Sequence, residues 1–174
     1  MGKHVFITVG TTRFDALIET IDDPSVLMNL SSMGFSSLLA QIGHGEYIPS
    51  FKTEEGISCD SYRYKPTLQD DMKRADLVIS HAGAGSIMEA LALGKALVVV
   101  VNSKLMDNHQ EELANAMAER NYLLASTPEH LPQALGKLID FENTRTAYPT
   151  AKPEAFASLV DEEMHAAQQR RRRR

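Results

Sequence analysis

Apolar positions along this chain fall into short, dense runs separated by longer stretches of helical period. Val5–Val9, Ser37–Ile42, Leu77–Ser80 and Leu97–Val101 read as strands, with weaker ones over about 57–62 and 122–125. The run Ala96–Val101 is so uniformly apolar that both its faces must be covered, as in a central strand of a parallel sheet. Helical patterns occupy about 14–21, 25–33, 67–74, 86–93, 108–120 and 128–139. A last one covers 154–168, where Phe156, Leu159, Val160 and Met164 share one face. Punctuation fits these bounds. Gly94 is a helix stop, Thr127-Pro128 a helix start, and 43–56 is a loop rich in Gly, Pro and Ser. Thr67/Asp70, Ser86/Glu89 and Asn108/Glu111 each have capping-box spacing. The alternation predicts a single α/β domain with a Rossmann-like, doubly wound, mostly parallel sheet. It is expected over 1–143, followed by a linker (with Pro149 and Pro153) and C-terminal helix over 144–169 and a basic tail over 170–174.

A length of 174 residues suits one such domain, and 43% apolar with 24% charged residues is a globular composition. No stretch approaches the roughly 20 apolar residues that a membrane helix needs. The first apolar run breaks at Gly10 and reads as a strand rather than a secretory signal. The single cysteine, Cys59, has no internal disulfide partner, and a reducing cytosolic setting is expected. Formal net charge is −5, but Arg170–Arg174 supply five of the positives, leaving 13 basic against 23 acidic residues in the rest. So acidic a body does not suit general nucleic-acid binding. The arginine run reads either as a solvated tail or as an attraction to anionic lipid, at about 1 kcal/mol per arginine near the surface.

Ligands of doubly wound sheets bind at the carboxyl ends of the strands, so three strand-to-helix junctions carry the candidate chemistry. At Gly10-Thr11-Thr12, glycine permits a tight turn and the amides and hydroxyls that follow suit a phosphate; the same residues also serve turn geometry alone. At Ser80-His81-Ala82-Gly83-Ala84-Gly85-Ser86, two glycines let a backbone approach a ligand at a helix start. The third glycine of the dinucleotide fingerprint is missing. Ser86 and Glu89 fit a capping box, and Glu89 equally fits a ribose-binding acid. Asp107-Asn108-His109-Gln110 follows the most buried strand, a place to read sugar hydroxyls or, for His109, a structural position. No His, Cys and acidic group has metal-ligand spacing, and no serine sits in a nucleophile elbow.

Taken in order, Phe6–Thr12, Ala75–Ser86 and Asn108-His109-Gln110 form a specific combination. The chain resembles the small catalytic subunits of the eukaryotic UDP-N-acetylglucosamine transferase that adds the second sugar to dolichol-pyrophosphate-N-acetylglucosamine. More distantly it resembles the donor-binding half of the bacterial transferase that makes the lipid-linked disaccharide of peptidoglycan. The resemblance implies the C-terminal half of a GT-B glycosyltransferase, with UDP-GlcNAc as donor and neither metal nor other cofactor. It implies that Gly10, Thr11, Thr12, His81, Gly83, Ala84, Gly85 and Ser86 hold the pyrophosphate and that Glu89 holds the ribose. Gln110 would read N-acetylglucosamine hydroxyls, and Tyr64 and Lys65 would lie near the uracil. Asn108 and His109 stand where the bacterial pattern has Asp-Arg, so their part in the sugar site is open. A GT-B enzyme has two such halves and this chain has room for one. A membrane-anchored acceptor-binding partner is therefore implied, at the cytosolic face of the endoplasmic reticulum, and the general base falls to that partner or is unassigned. Two other readings remain at this point: a non-catalytic UDP-sugar-binding module, and a small nucleotide-sugar epimerase of the same fold.

Overall fold

The computed structural model describes residues 2–52, 56–102 and 108–149, except for the side chains of 108 and 109. Six strands, β1 (Lys3–Thr8), β2 (Phe35–Gln41), β3 (Ser58–Tyr62), β4 (Leu77–His81), β5 (Ala96–Val100) and β6 (Leu124–Ser126), form one sheet in the order β3-β2-β1-β4-β5-β6. Every neighbouring pair is parallel. Among the described residues the helices are α1 (Asp15–Ile21), α2 (Pro24–Ser32), α3 (Gln69–Arg74), α4 (Ala84–Ala92), α5 (Asn108–Glu119), α6 (Leu131–Gly136) and α7 (Leu138–Thr144).

Alternation along the strands sends their side chains into two cores. Val5, Ile7, Val98 and Val100 pack with α1, α2, α6 and α7; Phe6, Val78, Leu97 and Val99 pack with α3, α4 and α5. All of β5 is buried, because both its faces are covered as the apolar run required.

Some boundaries differ from those expected. The sixth strand starts at Leu124 rather than Tyr122. The expected helix over 128–139 is a 3-10 turn at Pro128–His130, then α6, then α7, with the break at Lys137. Gly136, a poor helix former, ends α6. The Thr67/Asp70 capping box does not form: Leu68 is the N-cap of α3, and Thr67 Oγ1 accepts from the Gln69 amide at 3.2 Å in the preceding turn.

The loop after β2 is more ordered than its composition suggested. Asp22, at the end of α1 and 8% exposed, accepts from Tyr47 Oη at 2.6 Å and from the Ser50 and Phe51 amides at 2.8 and 2.6 Å. Burial opposes ionisation of Asp22, but these bonds outweigh it and hold the carboxyl below its ordinary range. The bond to Asp22 in turn pushes the Tyr47 phenol up to about 12.

After α7, Arg145 donates to the carbonyls of Gly94 and Lys95, both at 3.0 Å, and Thr146 donates its amide to Asn121 O at 3.0 Å. The first residues of the expected linker are thus strapped across the end of α4. Its remainder over 150–153, the expected helix over 154–168 and the basic tail over 170–174 lie outside the described residues.

Candidate functional site

Strand order reverses between β1 and β4, and the crevice at their carboxyl ends is the switch point where doubly wound sheets take ligands. Both predicted glycine turns are there, and one ring lies between them. A Cβ built on Gly10 would stand 2.7 Å from His81 Cε1, and one built on Gly83 would stand 2.4 Å from His81 Nε2. Gly10 has φ +61, so two constraints fall on it, the left-handed backbone and the close approach. His81 ends β4, with its Nδ1 3.4 Å from Thr8 O. Burial pushes the imidazole pKa down, against the bond to Thr8 O, which raises it. His81 therefore spaces the two turns, and the surface they offer a ligand is backbone.

Helix α4 starts directly from the second turn. Its N-cap is Gly83, which has no side chain to cap with, and its first ladder bond runs from the Ile87 amide to Gly83 O at 3.1 Å. Ser86 is the third helical residue and Glu89 the sixth, so their expected capping box is absent and Glu89 sits in the second turn rather than the first. The amides of Ala84, Gly85 and Ser86 precede the helical ladder at the positive end of the helix dipole. Ala84 and Gly85 are exposed, and Ser86 and Glu89 are half-buried. Such a terminus suits a phosphate.

The first turn differs from expectation in one respect. Helix α1 begins at Asp15, three residues after Thr12, and the Thr12 hydroxyl folds back to donate to Val9 O at 2.7 Å. The Gly10–Thr12 segment is thus a free-standing turn rather than a helix N-terminus, with Thr11 and Thr12 both exposed.

Tyr64 follows β3, 46% exposed, with its ring edge-on to His44 at 5.1 Å. The Lys65 ammonium is committed elsewhere: it donates to both oxygens of Asp71, at 2.9 and 2.8 Å, and lies 4.2 Å from the Tyr62 ring centroid. Tyr62 Oη also donates to Asp71, at 2.5 Å. Burial works against the Asp71 charge, but Lys65 and Tyr62 outweigh it and lower the pKa. Gln110 is exposed on the first turn of α5; the side chains of Asn108 and His109 lie outside the described residues.

Two features escaped the sequence reading. A cavity of about 440 Å³ opens beyond β5 and β6, lined by Glu111, Ser126, Thr127, His130, Gln133 and Lys137, none of them predicted site residues. Gln41, at the end of β2, is 1% exposed and bonded to the Gly10 turn. The available signal for Gln41 was a lone amide closing the apolar stretch Leu38-Leu39-Ala40.

A single six-stranded parallel sheet, doubly wound and with glycine turns at its switch point, is an α/β domain of the GT-B glycosyltransferase type. The chain belongs to the glycosyltransferase family 28 C-terminal domain, whose model matches residues 4–164. Within that family it is similar to the UDP-N-acetylglucosamine transferase subunit ALG13 of Homo sapiens, 50% identical over 125 residues that cover 72% of this chain. That match spans 11% of the human protein's length. The fold is similar to the NMR solution structure of ALG13, with a TM-score of 0.69, 25% identity, and coverage of 92% of this chain and 96% of that one. It is also similar to MurG of Acinetobacter baumannii, with a TM-score of 0.67, 19% identity, and coverage of 95% and 50%.

Proposed function

We propose that this chain is the donor-binding, catalytic half of a two-subunit N-acetylglucosaminyltransferase. It binds UDP-GlcNAc at the β1/β4 crevice and transfers the sugar to dolichol-pyrophosphate-GlcNAc when a membrane-anchored subunit supplies the acceptor half. The observation that carries the reading is the pair of glycine turns closing on His81 beside the uncapped start of α4. That arrangement presents backbone amides to a diphosphate and leaves Glu89 one turn further along for the ribose hydroxyls. The reaction is inverting: the acceptor 4-hydroxyl attacks the anomeric carbon, its bond to UDP breaks, and the charge gathering on the diphosphate is met by the first amides of α4. The proposal places donor charge on amides rather than on a metal, and assigns the base that takes the hydroxyl proton to the acceptor half. Among the described residues no helix is long and apolar enough to cross a membrane. Recruitment to the cytosolic face of the endoplasmic reticulum therefore falls to the partner in this reading.

The test is transfer of labelled GlcNAc to the lipid-linked acceptor by the full chain, alone and together with a membrane-anchored acceptor-binding subunit. Activity is expected only with the partner. Robust transfer by the chain alone would sink the two-subunit reading, and binding without transfer in the pair would make this a non-catalytic UDP-sugar module.

A further inference from the structure

Three strand exits converge on one side chain outside the predicted site. Gln41 Oε1 accepts from Thr8 Oγ1 at 2.6 Å and from the Gly10 amide at 2.9 Å. Its Nε2 donates to the carbonyls of Gly10 and Arg63, both at 2.8 Å. One side-chain amide thus holds both peptide groups of Gly10 at the end of β1 and the main chain just before Tyr64 at the end of β3. Arg63 extends the tie by donating to the carbonyls of Gly43 and Gly45, at 3.0 and 2.8 Å. The His44 amide closes it, donating to Thr12 O at 3.3 Å.

All four hydrogen-bonding positions of the amide are used. Glutamate lacks the donors, asparagine is one methylene short, and an apolar side chain would strand buried polar groups. Together these bonds hold the Gly10 turn and the main chain before Tyr64 in one register.

We propose that Gln41 is a positioning residue that couples the Gly10 turn to the Tyr64 segment, so that the diphosphate and the base of a nucleoside diphosphate are gripped as a unit. The proposal rests on reading the β1/β4 crevice as a nucleotide-sugar site. The experiment titrates the full chain, wild type and Gln41→Glu, with UDP, uridine and inorganic pyrophosphate, followed by calorimetry and amide NMR. Gln41→Glu keeps size and acceptor but sets a carboxylate oxygen against two carbonyls; its protonated form regains one donor. At pH 8 its UDP affinity is expected to fall at least about tenfold, and to recover relative to wild type as the pH is lowered. Leu38→Ala, a buried mid-strand control in β2, is expected to lower the melting temperature while keeping UDP affinity within about twofold and its pH profile that of wild type. In the wild type, uridine is expected to shift the Gly10 amide and pyrophosphate the Tyr64 amide, cross-talk that Gln41→Glu abolishes.

Wild-type UDP affinity in Gln41→Glu, an affinity loss that only tracks melting temperature as in Leu38→Ala, or persistent cross-talk in the variant overturns the positioning role and leaves the site reading standing. Should Gln41→Glu fail to fold, absent cross-talk in the wild type overturns the role by itself. A wild-type chain that binds no UDP removes the site reading together with the proposal.

Discussion

At the β1–β4 seam the backbone itself makes the surface: Gly10 and Gly83 close on the His81 ring, and α4 starts with no side chain on its first amides. On the β2–β3 flank the main chain is irregular and side chains hold it, Asp22 gathering Tyr47, Ser50 and Phe51, and Gln41 gathering Thr8, Gly10 and Arg63. The seam is suited to approach a ligand because the surface it offers is main chain, the space left by its glycines being filled by His81. The flank is suited to fix position because buried polar groups tolerate few arrangements once satisfied. Substitutions at the seam should therefore act through shape, and substitutions on the flank through lost hydrogen bonds.

The largest effect is expected from alanine at the seam glycines. Gly10→Ala meets about 1–2 kcal/mol of left-handed strain and, with it, overpacking of about 1–3 kcal/mol against His81. Gly83 has φ −76, open to any residue, so Gly83→Ala carries only the clash. Urea unfolding of the double variants separates the two terms. Adding His81→Ala should restore most of the stability lost in Gly83→Ala and only part of that lost in Gly10→Ala; equal restoration would break the distinction.

Next is Glu89→Ala. With Gly83 as N-cap, Glu89 has no capping role, so unfolding free energy should move by less than about 0.5 kcal/mol. UDP-GlcNAc binding should weaken by about 1.5–3 kcal/mol through loss of a charge-assisted bond to the ribose. A lower melting temperature with unchanged calorimetric affinity would return Glu89 to a structural role.

On the flank, Asp22→Asn turns an amide N–H2 towards donors that Asp22 now accepts from, at a cost of about 1–3 kcal/mol in stability with UDP binding at the seam unchanged. The pH dependence follows from two opposite shifts. Asp22 has a lowered pKa, so its contribution is present above the ordinary carboxylate value near 4 and is lost as pH falls through the folded value. Tyr47 has a raised pKa, so its contribution is complete below about pH 10 and is lost as pH rises towards about 12. Fluorescence of the tyrosines and amide exchange over 47–51 should show the loop loosening at both extremes. Asp22→Asn should remove the acid transition.

The smallest effect concerns Cys59, half-buried in β3, whose thiol burial pushes up to about 11. Its thiolate fraction at pH 8 is about a hundredfold below that of a thiol at 9, so iodoacetamide should label it slowly in the folded chain and readily in urea. Rapid labelling of the folded chain would show that the edge of the flank opens easily.

Particular elements show where the sequence was legible. The run Ala96–Val101 could only be a strand covered on both sides, and β5 is entirely buried. Gly10 was recognisable as a turn because glycine at a strand end answers to local backbone geometry, here φ +61, whereas Gly83 is held to glycine by the His81 ring. Ser86 and Glu89 misled because capping-box spacing marks only one possible helix start. The Gly83 amide already turns back to His81 O at 2.8 Å, which begins α4 two residues earlier than the expected start at Ser86. The pairing of Lys65 with Asp71, six positions on, was not legible from spacing.

By itself the sequence determined the alternation of elements, the two-sided burial of the sheet and the glycine turns at its carboxyl edge. Each of those follows from the period of apolar residues or from the torsional range of a single residue, and both are local. Only the tertiary structure decided that His81 separates the two turns and that Gln41 ties three strand exits together. Gln41 reaches Gly10 across 31 positions and Arg63 across 22, and it does so because β1 and β2 pair in the register that sets Thr8 beside Gln41. Register is fixed by how whole strands bury their faces against the helices, and no local pattern carries it.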